Sequence, residues 1–467
     1  MKYLVIAFLF LSCTKQVTKT TETKEPVSPV NPQLPVYYIS ADGNTTNSGR
    51  TPDKPWSISR ANNHDFSAGD ILEINGKIDE VLYIGREDAG ETGAPLTIQG
   101  SGTLKGIDLY NTENITIKQL RFVGEGIMIH QDQQSKEYLS NFIVDSVESS
   151  EAMWGLKIHT SGKGFENVSI TNSVFHHNRH SGIYTIGNWP EINHRNIHIK
   201  NVIAHHNSGT GETNTGHGIV VAGFNGGVIE YSEAYENGSN GDANIGIWAF
   251  DAIDITIQYC KSHHNRSKKV DGGGFDLDGG AQQCVIQYCQ SWENDGEGFL
   301  LFDYGGPNPT KNNTFQYNIS YNDARKNTNY GGFTLGGVNP VYNTRLYNNT
   351  VYISKGAGVN NGALTFIYGA AMKGLEVKNN IFYADGLGIT AYYDSPATME
   401  LANNLYYSTK AISLAGLVGD PLFSENLYLT QSSPAVNKGI ELDGLPKKDI
   451  YNNAITNQRD IGAIESH

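Results

Sequence analysis

The chain has 467 residues, a formal net charge of −14, 18% charged residues, 52 glycines and 4 cysteines. This acidic balance excludes a nucleic-acid binder, which would carry a basic face, and a polyanionic ligand would need local basic groups or a bound cation. The glycine-rich, charge-poor composition fits a turn-rich all-β protein, and a repeat architecture reaches this length within one domain by adding coils.

Met1-Lys2 is a short basic start and Tyr3 to Leu11 an apolar stretch too short to span a bilayer. Phe10-Leu11-Ser12-Cys13 resembles the lipobox of bacterial lipoproteins. The resemblance implies that residues 1–13 hold the signal, that Cys13 becomes the lipid-modified first residue, and that the protein is exported and lipid-anchored to the cell envelope. Membrane contact is then expected through that anchor alone. Residues 14–35 are mostly Thr, Lys, Glu and Pro, with almost nothing to bury, and are expected to form a disordered tether.

Residues 36–467 form one expected domain. In 36–95, Val36-Tyr37-Tyr38-Ile39-Ser40 is a strand, Pro55-Trp56-Ser57-Ile58 opens a short element, and Ala68-Gly69-Asp70-Ile71 is a turn entering a strand. An open end of a stacked fold exposes strand edges and apolar interior, so this segment is expected to be an N-terminal cap. It resembles the cap of secreted bacterial right-handed β-helix proteins.

Within 96–414 a two-part phrase returns roughly every 30 residues, as in Asn172-Ser173-Val174-Phe175-His176-His177-Asn178 and Cys260-Lys261-Ser262-His263-His264-Asn265. Each copy holds short period-2 apolar runs bounded by Gly, Asn and Asp, with no helical stripe. The content predicts a right-handed parallel β-helix, all-β and solenoidal. Asn172, Asn201, Ser232, Cys260, Cys289, Asn318, Asn348 and Asn379 are expected to form one stacked ladder. Asn178, Asn207, Asn237, Asn265, Asn294 and Asn322 form a second. Cys260 and Cys289 fall on adjacent coils, either bridged or simply packed. The pairs His176-His177, His205-His206 and His263-His264 are read as a turn-packing stack in preference to a zinc site.

Alternate residues of a strand face opposite sides. In Gly274-Phe275-Asp276-Leu277-Asp278, Phe275 and Leu277 point inward and both aspartates outward. One coil earlier Trp248 and Phe250 point outward. Further up, Tyr184, Lys157, His159 and His130 share the same face, and loops add His217, Asp271, Arg266, Lys268, Lys269, Asp295 and Glu297. Aromatic rings beside carboxylates suit a sugar groove, with Trp248, Phe250, Lys157, His159, Tyr184 and His217 as expected substrate contacts. Asp276 and Asp278, with Cα atoms about 6.5–7 Å apart, are the expected catalytic pair, at either a retaining carboxyl spacing of about 5–5.5 Å or an inverting one of about 6.5–9.5 Å. Alternatively these two, with Asp271 and Glu297, supply oxygens to Ca²⁺.

Trp292-Glu293-Asn294-Asp295-Gly296-Glu297-Gly298-Phe299, with Asp271-Gly272-Gly273-Gly274-Phe275 upstream, resembles the calcium region of family 9 pectate lyases. Two of that family's aspartates are Gly296 and Glu297 here, a third is Leu300, and its catalytic lysine has no clear counterpart. In residues 415–467, Ser433-Pro434-Ala435-Val436-Asn437 and Asp460-Ile461-Gly462-Ala463-Ile464-Glu465 resemble the closing segment of secreted β-helix proteins. The expected function is therefore an extracytoplasmic, monomeric enzyme acting on a polysaccharide or oligosaccharide, as a lyase or a hydrolase. The alternative is a non-catalytic glycan-binding or structural surface lipoprotein.

Overall fold

The computed structural model describes residues 35–466, apart from 328, 355–361, 386–387, 393, 395, 397 and 457. Cys13 and the tether up to residue 34 lie outside the described residues. From Pro35 onward the chain is one compact unit.

The strands pair in parallel and build three walls. The first is a 14-stranded sheet running from Val36–Ser40 to Met399–Ala402. A 23-stranded sheet bends into the other two. They join where Arg121–Gln131 pairs with Trp154–Thr160 at one end and Glu148–Ser150 at the other. The second wall carries the longer strands, among them Ser181–Ile186, His217–Ala222, Asn244–Phe250, Asp271–Asp278 and Phe299–Asp303. The third carries three-residue strands such as Val174–His176 and Gln290–Trp292. The expected parallel β-helix is thus the observed fold.

Period-2 patterning sorts each wall. Ile183, Ile219, Ile247, Phe275 and Phe299 are fully buried in one continuous interior. Phe275, Phe299 and Phe333 stack at ring distances of 5.2 and 4.9 Å. Each such side chain contributes about 1.5–3 kcal/mol by leaving water.

Two corners per coil are turned by single left-handed residues. At the first, Asn172, Asn201, Tyr231, Tyr259, Tyr288, Tyr317, Asn348 and Asn379 all have φ between 50° and 58°. None is β-branched, as that backbone region requires. These side chains point outward. The inward position is the next residue: Ser173, Ser232, Cys260, Cys289, Asn318, Asn349 and Asn380. The first expected ladder therefore mixed two rows one residue apart. In the outer row Tyr231, Tyr259 and Tyr288 stack ring on ring. In the inner row Asn318 receives the Cys289 N–H and itself donates to Asn349. Cys260 and Cys289 are both free, buried thiols, so no bridge forms.

The second ladder runs as expected through Asn178, Asn207, Asn237, Asn265 and Asn294; from Asn207 onward each side-chain oxygen accepts both the backbone and the side-chain N–H of the Asn one coil before. Its next member is Asp323, because Asn322 occupies the left-handed corner. The histidine pairs straddle this corner. His176, His205, Tyr235, His263 and Trp292 stack as a ribbon on the third wall, with ring distances of 5.0, 4.9, 5.2 and 4.1 Å.

Both ends depart from the expected caps. Stacking begins at once: Val36–Ser40 pairs with Ile71–Asn75, which pairs with Leu96–Gly100, so part of 36–95 is already wound into the coil. The helix Ile58–Ala61, capped by Ser57, buries Ile58 and Ala61 beside Tyr37, Trp56 and Phe66. At the other end the last pairing is Leu417–Val418 with Leu405–Ser408. The remaining residues fold back along the outside as a strap. Asn348 donates to the carbonyls of Asp460 and Gly462, and the buried Arg459 donates to the Tyr317 hydroxyl and pairs with Glu441.

Candidate functional site

Register along the second wall sets two outward rows. One passes from Lys157 through Tyr184, Val220 and Trp248 to Asp276 and Leu300. Its neighbour passes from His159 on the upper coils to Phe250, Asp278 and Phe302 on the lower ones. Around Asp276 and Asp278 longer loops rise on both edges and close the surface into a pocket of about 440 Å³.

The pocket brings together most of the expected site: Asp276, Asp278, Asp271, Trp248, Phe250 and Tyr184, with His217. Asp276 is 2% exposed, and its Oδ1 has no hydrogen-bond partner among the described residues. Burial raises its pKa well above the carboxylate range, and the neighbouring Asp278 adds to the rise. Asp278 keeps an exposed edge and accepts the Gly279 N–H at 2.8 Å. Desolvation still carries its pKa to about 8. Asp271 is raised to about 6 by burial, against the opposing pull of the Tyr330 hydroxyl, which donates to it at 2.6 Å. Two carboxyls on one strand thus share a dry surface with different environments. Burial raises both, and Asp276 is the more enclosed of the two.

His217 opens the strand His217–Ala222 instead of lying in a loop. Its Nδ1 accepts the Ile245 backbone N–H at 3.2 Å and the Trp248 indole N–H at 3.1 Å. Two donors on Nδ1 place the ring hydrogen on Nε2, which is buried and has no hydrogen-bond partner among the described residues. Complete burial lowers its pKa to about 3, so the ring is a neutral donor.

Three expected residues are not in the pocket. Lys157 and His159 lie further up the same wall. Lys157 rests on the Trp154 ring at 3.9 Å, and His159 stacks on His130 at 5.4 Å with its pKa lowered to about 4 by burial. Glu297 is fully buried between coils against Gly273, where any Cβ would come within 2.3 Å of Oε1. Both its oxygens are unpartnered and its pKa is raised well above the usual range by desolvation. Arg266, Lys268 and Lys269 also stay outside, bonded to Asp295, Asn240 and Asp242. Among the described residues no lysine or arginine lines the pocket.

Tyr304, Tyr330, Asn214 and Phe302 add to the lining without a strand-alternation signal that marks them as contacts. Tyr304 is fixed by the buried Asp251, whose Oδ2 accepts the Tyr304 hydroxyl at 2.8 Å and the Trp189 indole at 2.9 Å. Among the described residues no three carboxylate, imidazole or thiol groups converge on one point. Asp271 is engaged by Tyr330 and Glu297 is enclosed, so the donors present do not fit a calcium ion, which takes 6–8 oxygens.

Residues 96–315 match the family model described as the right handed beta helix region. The chain is a right-handed parallel β-helix. Pectate lyase L of Dickeya dadantii (strain 3937) is 35% identical over 103 residues, 21% of this chain and 22% of that protein. The aligned part thus spans about a fifth of the relative's length. Among solved structures, pectate lyase Pel9A is similar at 18% identity and a TM-score of 0.49, covering 92% of this chain and 96% of that one. The GH136 lacto-N-biosidase from Eubacterium ramulus is similar at 14% identity and a TM-score of 0.48, covering 73% and 68%. Likeness this low transfers no residue role to this β-helix.

Proposed function

We propose that this β-helix is a glycoside hydrolase acting on a neutral glycan, with Asp276 as general acid and Asp278 as base or nucleophile. One observation carries the reading: a carboxyl pair with raised pKa values lies in an aromatic pocket that holds no lysine or arginine. Elimination from a uronate needs a cation or an arginine to neutralise the sugar carboxylate; among the described residues the lining has no arginine, and its donors do not fit calcium. Hydrolysis needs a proton on the leaving oxygen and a carboxylate on the other side of the anomeric carbon. Asp276 supplies the first from its protonated form. Asp278 supplies the second once ionised.

The remaining side chains position the sugar. Trp248 and Phe250, stacked at 4.9 Å, present an apolar surface to the C–H face of a pyranose. His217, a lining residue, holds the Trp248 indole in place through its Nδ1. Asp271, bonded to Tyr330, lies close enough to raise the Asp278 pKa. The relative named pectate lyase L supports action on a polysaccharide in general.

The proposal includes the location: the lipobox at Cys13 would anchor the enzyme to the envelope, and a Cys13→Ser chain should leave the detergent phase on partitioning. The test of function is a panel of neutral and acidic polysaccharides, with and without chelator, followed by reducing ends and by ultraviolet absorbance. The expected result is new reducing ends from a neutral glycan, no absorbing product and no chelator effect. An absorbing product from an acidic glycan would overturn the reading.

A further inference from the structure

A second cavity, of about 750 Å³, lies on the third wall where the C-terminal strap passes over it. Trp292 rests on His263 at 4.1 Å and Tyr321 on Tyr352 at 5.2 Å; Trp292 pairs in register with Tyr321, and Trp292, Tyr321 and Tyr352 line one side of the cleft. The strap supplies the facing side with Phe423, Tyr428 and Tyr451, the last two stacked at 5.4 Å. Gln290 and Asn426 add amides, and Tyr321 and Tyr451 add hydroxyls at exposed edges.

Among the described residues the lining has no charged side chain and no histidine. That composition disfavours a metal, a phosphate or an acidic sugar. It equally disfavours the Lys- and Glu-containing segment before Pro35, which would bury charge without a partner. Rings on two faces with amides and hydroxyls between them match a pyranose chain, whose C–H faces are apolar and whose rim is hydroxyl. The turn at the far lip holds Asn426 and Leu427 at φ 56° and 63°, kept closed by the Ser424 N–H to Tyr428 carbonyl bond at 2.7 Å.

We propose that this cleft is a second glycan-binding site, for a neutral oligosaccharide, separate from the carboxyl pocket on the second wall. It holds a glycan chain on the protein without cleaving it, since no acid or base lies within it. The occupant is set by the cleft's own side chains and does not depend on the chemistry proposed for Asp276 and Asp278.

The test is native affinity electrophoresis of the full chain in gels containing galactan, arabinan or galactomannan, with polygalacturonate as the acidic control. Asp276→Asn should be retarded by at least one neutral glycan, showing binding without turnover. Tyr321→Ala/Tyr451→Ala, two exposed positions, should weaken retardation about tenfold while release of reducing ends from short soluble oligosaccharides stays at the wild-type rate. Retention of full retardation in the tyrosine variant overturns the inference, as does retardation by polygalacturonate alone. A change in oligomeric state on gel filtration in place of lost retardation would make the cleft a self-contact and likewise overturn it. Tyrosine-dependent retardation by a protein that releases no reducing ends would leave the cleft standing and refute only the hydrolase reading.

Discussion

Asp276 and Asp278 lie two residues apart on one strand and differ in exposure. Asp278 keeps an exposed edge, whereas Asp276 is almost wholly buried and its Oδ1 has no partner among the described residues. The proposed roles of Asp278 as base and Asp276 as acid rest on that difference. Asp276→Asn and Asp278→Asn should each lower kcat by about 10²–10⁴-fold, measured by reducing-end release. Stability gives a second readout. A carboxyl whose folded pKa is raised lets the native state hold a proton that the unfolded chain has released, so its contribution is complete below the ordinary value of 3.8 and is lost as pH rises to about 8. Asp278→Asn should therefore melt like the wild type below pH 4. By pH 8 it should be the more stable of the two, by about 1–2 kcal/mol, in thermal melts across that range. Both aspartates, and the aromatic pair beside them, were legible from strand alternation alone. The tautomer of His217 was not, because it depends on a ring nitrogen meeting Trp248 from the next coil. Tyr304 and Tyr330 were not legible either, since they sit on loops of irregular length that no period predicts.

At the scale of the element, the corner decides which polar side chains count. Asn237 Oδ1 takes both the backbone and side-chain N–H groups of Asn207, and its own amide donates to the Ala204 carbonyl. Its amide also donates to Asn265 Oδ1, so Asn237→Ala removes four buried hydrogen bonds and should cost about 2–4 kcal/mol in denaturant unfolding. Asn201 belongs to the outer, left-handed row, so Asn201→Gly keeps the backbone angle and should cost less than about 1 kcal/mol. Sequence reading placed Asn201 and Cys260 in one ladder because the repeat fixes spacing only to within a residue. The one-residue offset between an outward corner and the inward position after it comes from backbone φ, which the residue types report weakly. The second ladder was legible because Asn occupies it in five consecutive coils, and it failed only where Asp323 takes over.

From Pro35 onward the chain is a coil with a strap laid along one corner. The tyrosines of the outer row, Tyr288 and Tyr317, are covered by Ile450, Ala463 and Ile464. Arg459, 1% exposed, ties the strap to Tyr317. Arg459→Ala removes a buried cation with its partners and should destabilise the chain by about 2–4 kcal/mol in thermal melts. A melting point equal to wild type would mean that the strap is not part of the cooperative unit. The strap's motifs were recognisable as a closing segment, but its path was not, because covering an end and covering a corner demand the same apolar residues.

The carboxyl pocket on the second wall is proposed to cleave a neutral glycan by adding water. Turnover in ¹⁸O-labelled water followed by mass spectrometry of the product reads that step directly. Each new reducing end should carry one ¹⁸O, lost in Asp276→Asn. An unlabelled, unsaturated product, or equal labelling by Asp276→Asn, would contradict it.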